Sequence, residues 1–283
     1  MSALLDAAPI AAESFDAHAN LPLHCAVEKG CSDVTVLEAL VDACPQSAEV
    51  PSKDGETPIM ISFRRAMLQA GEPSSSSPSP SSFPSEREVA LLARLAGEAL
   101  LSEDAKLGGN ILLHQAVQRG APLNILRLLV EACPASATVP AKNDTGHHAL
   151  MMAFAREQDD AGFPSAAEVS LLASAAGGGA ALVADASGKI CLHRAVEDGV
   201  PVDILEALVK ASPQSIDAVS STDTTPLMAA VEGKASAETV KALLVVAPSP
   251  STISRCIRYG IECGTPAEIV LLLADAMPVG TAV

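Results

Sequence analysis

One short pattern returns three times around a variable third position, as Leu23-His24-Cys25-Ala26-Val27, Leu113-His114-Gln115-Ala116-Val117 and Leu192-His193-Arg194-Ala195-Val196. Each copy is followed shortly by a glycine, Gly30, Gly120 or Gly199. Tandem recurrence at long spacing marks units too small to bury their own apolar faces, so such a chain must fold by stacking neighbours rather than around one centre.

The segment after each copy recurs too. An apolar helical stretch (Val36 to Ala43, Ile125 to Ala132, Ile204 to Ala211) leads into Cys44-Pro45-Gln46-Ser47, Cys133-Pro134-Ala135-Ser136 or Ser212-Pro213-Gln214-Ser215. A proline there cannot continue the helix, so every unit stops at the same place. Sister units lie between, with Met in the His position: Pro58-Ile59-Met60, Ala149-Leu150-Met151 and Pro226-Leu227-Met228. The steps from His24 to Met60, His114 to Met151 and His193 to Met228 are 36, 37 and 35 residues, so His-type and Met-type units alternate. Each unit reads as two short helices. First helices are expected at His24 to Lys29, His114 to Arg119 and His193 to Asp198, and second helices on the three apolar stretches above. In the Met-type units Ser85 to Glu88 and Ser165 to Glu168 read as capping boxes, and Thr265-Pro266-Ala267-Glu268 as a box with Pro at the first helical position opening a last helix over Ile269 to Ala276. Six units are complete, and a partial seventh from about Ile253 caps the array.

The stretches Asp54-Gly55-Glu56-Thr57-Pro58-Ile59-Met60 and Thr224-Thr225-Pro226-Leu227-Met228-Ala229-Ala230 resemble the Asp-x-x-Gly-x-Thr-Pro-Leu-His signature of ankyrin repeats. The resemblance covers roughly residues 18 to 277 and implies an all-α fold, an ankyrin-like α-solenoid of about six stacked helix-turn-helix units with turns protruding between them. Leu21, Ile111 and Ile190 stand where the family usually has Thr. That Thr shares a hydrogen-bond network with the His in the family, which leaves open how His24, His114 and His193 are bonded in this chain. The organisation expected is an N-terminal segment at 1–17, the array at 18–277 with a disordered Ser/Pro-rich insertion at 72–84, and a tail at 278–283. Ser77 and Ser79 in that insertion each precede Pro, a step a proline-directed kinase could use; a tolerated insertion is the plainer reading.

Composition narrows the function. The net charge is −16, which repels a phosphate backbone and argues against DNA or RNA as a partner. Aromatic residues make up 2%, with no Trp and one Tyr, which suits Ala/Leu helix packing and not a base-stacking surface. No run of about 20 apolar residues could cross a membrane, and the opening Met1-Ser2-Ala3-Leu4-Leu5-Asp6 lacks the basic region and long apolar core of a signal peptide. A cytoplasmic protein is expected, with the nucleus also open to it.

The seven cysteines have no zinc-type spacing; Cys44 and Cys133 share one repeat position and read as small buried side chains. The repeat histidines are one position seen three times, which points to a structural role, and His147-His148 beside Asp144 reads as exposed turn residues. Gly108-Gly109 lacks the Lys and Ser/Thr of a phosphate loop, and Gly177-Gly178-Gly179 reads as a helix end followed by a flexible connector. No catalytic, metal or cofactor site is expected.

Arrays of the resembled family mostly hold another protein on a concave surface of first-helix positions and turn tips. By register alone that surface comprises Lys53, Asp54, Ile61, Arg64, Gln115, Arg119, Lys142, Asn143, Asp144, Met152, Asp185, Arg194, Asp198 and Asp223, with Cys25, Glu28, Lys29, Gln118 and Glu197 beside them. The acidic balance favours a protein partner with a basic patch, and the chain alone is expected to be a monomer. A non-catalytic scaffold or adaptor is the leading reading. The alternatives are a regulatory or inhibitory subunit that masks an enzyme's active site and, more remotely, a thiol enzyme using Cys25.

Overall fold

The structure, a computed structural model, describes residues 9–31, 33–70, 83–102, 110–142, 147–156 and 163–277. Among these lie fourteen α-helices in seven consecutive pairs. They are α1 (Pro22–Glu28) with α2 (Val34–Ala43), α3 (Pro58–Ala70) with α4 (Glu86–Ala96), α5 (Leu112–Gln118) with α6 (Leu123–Ala132), α7 (Ala149–Ala155) with α8 (Ala166–Ser174), α9 (Cys191–Glu197) with α10 (Val202–Ala211), α11 (Pro226–Glu232) with α12 (Ala237–Leu244), and α13 (Pro250–Glu262) with α14 (Ala267–Asp275). All six helices expected from the repeats are present, each beginning two residues earlier than its apolar stretch. The seventh unit is a complete pair rather than a partial one. The only β-pairing among the described residues is an isolated bridge between Ala184 and Ile190.

The helices fall into two compact units, α1 to α6 and α7 to α14. Within the first, α1 packs on α3, and α4 on both α2 and α6. Within the second, α7, α9, α11 and α13 pack in succession as one layer, and α8, α10, α12 and α14 as another. Small residues let the first helices approach: Ala195 and Ala230 are fully buried. Leucines and valines at helical spacing fill the space between layers, among them Leu37, Leu92 and Leu126 in the first unit and Leu172, Leu205 and Leu243 in the second.

The Cys/Ser-Pro-x-Ser motif does more than stop a helix. Cys44, Cys133 and Ser212 share one backbone conformation, with φ near −143° and ψ near 84°. Each is followed by a short 3-10 turn, Pro45–Ala48, Pro134–Thr138 or Pro213–Asp217. In each turn a serine hydroxyl (Ser47, Ser136, Ser215) donates to the carbonyl of Cys44, Cys133 or Ser212 at 2.6 Å. The proline removes a donor and the serine satisfies the carbonyl left over, so the chain leaves every second helix along the same path.

Several local expectations need correction. Ser85 and Ser165 do cap their helices, accepting the N–H of Glu88 and Glu168. The glutamates do not close the boxes, because Arg65 and Arg156 take their carboxylates. Pro266 is the cap of α14 rather than its first residue, and Thr265 Oγ1 is buried without a hydrogen-bond partner. Gly177 and Gly178 are not a flexible connector. They lie in the left-handed region within the 3-10 segment Ala175–Leu182, and a Cβ at Gly178 would come within 3.0 Å of the Ala211 carbonyl oxygen. The expected loop at 72–84 lies outside the described residues up to 82, as do Ser77, Ser79 and the tail at 278–283. Phe83 belongs to the core: it is buried and meets Phe63 edge-on at 6.5 Å between centroids.

The turns between helix pairs pair with one another. The Ser187 carbonyl accepts from the N–H and hydroxyl of Ser221, and next to it Gly188 has φ +70°. A Cβ on Gly188 would stand 2.7 Å from the Ser221 nitrogen. Gly188→Ala should therefore combine left-handed strain with a backbone clash and cost about 2 kcal/mol in a denaturant titration. A change under a few tenths would show that the two turns do not touch.

Candidate functional site

The repeat histidines are the first place to look for chemistry, and in His24 and His193 both ring nitrogens are occupied. His24 Nδ1 accepts the N–H of Leu21 at 3.1 Å, and Nε2 lies 2.9 Å from the Val50 carbonyl, to which it must donate. His193 repeats this with Ile190 and with Thr224, at 3.3 and 2.8 Å. His114 keeps the Nε2 bond, to Val139 at 2.9 Å, but its buried Nδ1 has no hydrogen-bond partner. This is how the chain manages without Thr at Leu21 and Ile190: the imidazole itself bonds the buried N–H at the helix start. In the sister helix α11 the arrangement is reversed, for Thr225 is present and its hydroxyl accepts the N–H of Met228. His148, expected as an exposed turn residue, is buried at the start of α7 with Nε2 3.2 Å from the Val183 carbonyl. His147 beside it is half-buried.

These rings are neutral staples. Burial lowers the pKa of His24, His114 and His193, against the opposing pull of the Val50, Val139 and Thr224 carbonyls. Protonation would also put a second N–H where the Leu21 or Ile190 N–H already points. With folded values below the ordinary 6.5, the unfolded chain takes up protons first as the pH falls. The stabilisation is full above that value and is lost as the pH drops through the folded values. Urea midpoints should therefore fall between about pH 7 and about pH 5, before most carboxylates titrate. Equal midpoints across that window would mean the histidines are as wet folded as unfolded.

The cysteines are all free. Cys133, Cys191 and Cys256 are buried, while Cys44 is only half-buried. Burial raises the Cys256 thiol to about 12. The Cys25 thiol is also raised, by desolvation and by Asp16, whose carboxylate lies 3.8 Å from its sulfur. An activated nucleophile needs the opposite shift, so this environment works against a thiol enzyme. No group of three His, Cys, Asp or Glu among the described residues is arranged to hold a metal ion. No helix among them is long and apolar enough to cross a membrane.

The residues assigned to a partner surface by register divide by burial. In the first unit Lys53, Asp54, Arg119 and Lys142 are exposed, and Arg64 is half-buried, bonding Glu56 at 2.8 Å and Glu28 at 3.7 Å. Ile61 and Gln115 are buried. In the second unit Asp198 and Asp223 are exposed, Arg194 is half-buried, and Met152 and Asp185 are buried. Asn143 and Asp144 lie outside the described residues. Ile61, Gln115, Met152 and Asp185 therefore leave the surface. The first three sit where a first helix meets its surroundings, a position that register alone does not separate from solvent. Asp185 is a turn anchor: its carboxylate accepts the N–H groups of Ser187 and Lys189 and the Ser187 hydroxyl at 2.7 to 3.0 Å. Partial burial pushes its pKa up, but these bonds outweigh that and hold it below the ordinary aspartate value. Asp223 is the true tip, with φ +58° and its carboxylate 2.6 Å from Arg255.

The second unit also has a groove of about 740 Å³ between α9 and α11. Its floor is small, with Ala195, Ala229 and Ala235, and its rim carries Thr222, Thr224, Ser236, Glu197 and Glu232. Of the residues picked out by sequence for a partner surface, only Glu197 lines it. The available signal was the run of Ala and Gly at the ends of both helices, where larger side chains would have filled the space.

Helix pairs layered in this way, with a staple from each His-type helix to the backbone ahead of the next unit and turns that pair beyond the helix ends, settle the architecture. It is ankyrin-like. No protein-family model and no curated protein matches the chain. Similar solved structures include a chain from the complex of a predatory endopeptidase of Bdellovibrio bacteriovorus with its immunity protein, at 19% identity and TM-score 0.44, covering 81% of this chain and 98% of that one. The ankyrin repeat domain of Bcl-3, of the IkappaB family, is 20% identical with TM-score 0.41, covering 79% and 98%. An ankyrin repeat domain from Acinetobacter baumannii is 16% identical with TM-score 0.36, covering 90% and 97%.

Proposed function

We propose that this chain is a non-catalytic scaffold or adaptor that holds another protein on its exposed turn tips and first-helix ends. The observation that carries the reading is the groove of the second unit. It is of ligand-binding size, yet the one imidazole in its lining, His193, has both nitrogens committed to the backbone at Ile190 and Thr224. A general base needs a free lone pair facing its substrate, so this imidazole cannot serve as one, and the hydroxyls and carboxylates of the rim are read as binding groups. The acidic balance favours a partner with a basic patch and disfavours nucleic acid, and no cofactor is required. The chain would work as a monomer in the cytoplasm, joined to its partner by exposed residues such as Lys53, Asp54, Arg119, Lys142, Asp198 and Asp223.

Affinity capture with the full chain, followed by lysine cross-linking, tests this. A partner cross-linked through Lys53, Lys142 or Lys189 is the expected result. Capture of nothing, or of a small molecule turned over by the purified chain, would overturn it.

A further inference from the structure

Three of the four first helices of the second unit share an ending. Helices α9, α11 and α13 each finish on a glutamate, Glu197, Glu232 and Glu262. Backbone bonds show that these are one position. After α9, Gly199 N–H bonds the Val196 carbonyl and Val200 N–H that of Ala195; Lys234 and Ala235 repeat both bonds to Val231 and Ala230, and Gly264 and Thr265 to Ile261 and Gly260. The residue at the left-handed turn is equivalent too: Gly199, Lys234 and Gly264 have φ of 66°, 53° and 67°. Helices packed in succession stand about 8–10 Å apart, so the three carboxylates form a row with that repeat.

A negative charge at a helix C-terminus opposes the macrodipole, and a row of them adds mutual repulsion at about one Debye length. Where such a residue occurs in the first unit it is countered, since Glu28 faces Arg64 at 3.7 Å. Glu197 is bridged by Lys189 at 2.7 Å. Glu232 and Glu262 are exposed and make no ion pair among the described residues. Two of the three line the groove between α9 and α11, whose rim hydroxyls, Thr222 and Ser236 among them, can bond a backbone laid over Ala229 and Ala235.

We propose that this groove and glutamate row bind an extended basic segment of the partner protein, with Lys or Arg side chains meeting Glu232 and Glu262. The proposal rests on the protein-binding reading above and narrows it to a peptide chemistry. A chain in the polyproline II conformation advances about 3.1 Å per residue and returns to the same face every third residue, so cations three residues apart match carboxylates about 9 Å apart. The occupant is thus an extended segment of polyproline II type with a basic residue at every third position, not any cationic sequence.

Labelled peptides measured by fluorescence anisotropy against the full chain give the test. One peptide carries lysine at every third position with Gly and Ser between; a second has the same composition with the lysines contiguous; a third is the first with its lysines acetylated. The spaced peptide should bind most tightly, the acetylated one should lose binding, and the double variant Glu232→Gln/Glu262→Gln should weaken the spaced peptide about tenfold while Glu28→Gln leaves it unchanged. Both substituted residues are exposed, so the double variant should keep the parent's melting curve, and Ala235→Leu, which fills the groove, should weaken the spaced peptide independently. Equal affinity for the spaced and contiguous peptides, or indifference to the double variant, would overturn the groove. A partner captured by the full chain but cross-linked only away from α9 and α11 would also sink it while leaving the scaffold reading intact.

Discussion

Ala116→Asp is expected to lower the stability of the chain by about 3–5 kcal/mol, and at the upper end to prevent folding. Ala116 lies in α5 with no exposed surface, and its neighbours Leu113 and Val117 are equally buried. A carboxylate introduced there would replace a methyl group that has no access to water. It could stay ionised at a large desolvation cost or take up a proton, and either course is paid for out of folding free energy. Ala116→Ser separates charge from size. Its hydroxyl can bond back to the carbonyl one turn earlier, so that variant should lose only about 1 kcal/mol. Denaturant titration of both decides the matter: if Ala116→Asp unfolds within about 1 kcal/mol of the parent, the methyl faces water and the repeat register is wrong.

The same register shows how far the sequence could be read. A position seen three times with the same neighbours is strong evidence for burial, and Ala116 and Ala195 are fully buried there, while Ala26, in the first helix pair, is only half-buried. Second-helix ends were equally legible, because proline states its own constraint. What register could not settle was exposure at the variable position after each His or Met. That place holds Cys25, Ile61, Gln115, Met152, Arg194 and Ala229, and it is half-buried in Cys25 and Arg194 but buried in Ile61, Gln115 and Met152. Its surroundings depend on the turn packed above it, and the turns vary. Asp185 misled for a related reason: an aspartate in a turn can point to solvent or bond its own backbone, and the sequence Asp185-Ala186-Ser187-Gly188 permits both. The glutamate row was in plain view at the helix ends. It gained meaning only once the backbone bonds placed Glu197, Glu232 and Glu262 at one height beside an open groove.

Glu88→Leu should cost about 3 kcal/mol, although the substitution adds apolar bulk to a largely buried site. Glu88 is the third residue of α4, and both its oxygens receive Arg65 Nη2 at 3.0 and 3.1 Å. Arg65 also donates from Nη1 to the Val27 carbonyl, so one guanidinium ties α3 to α1 and α4. The second unit repeats the device, with Arg156 on Glu168 at 3.1 and 3.2 Å. The Arg65 side chain is 16% exposed and that of Glu88 7%, so removing the carboxylate leaves a cation mostly out of water with only the Val27 carbonyl beside it. That remaining bond keeps the expected loss at the low end of the range for broken buried pairs. Replacing both partners, Arg65→Met with Glu88→Leu, removes the stranded charge as well and should return stability to within about 1 kcal/mol of the parent. A coupling near zero in this double-mutant cycle would show the pair to be solvated, and the capping serines Ser85 and Ser165 would then have to fix the starts of α4 and α8 by themselves.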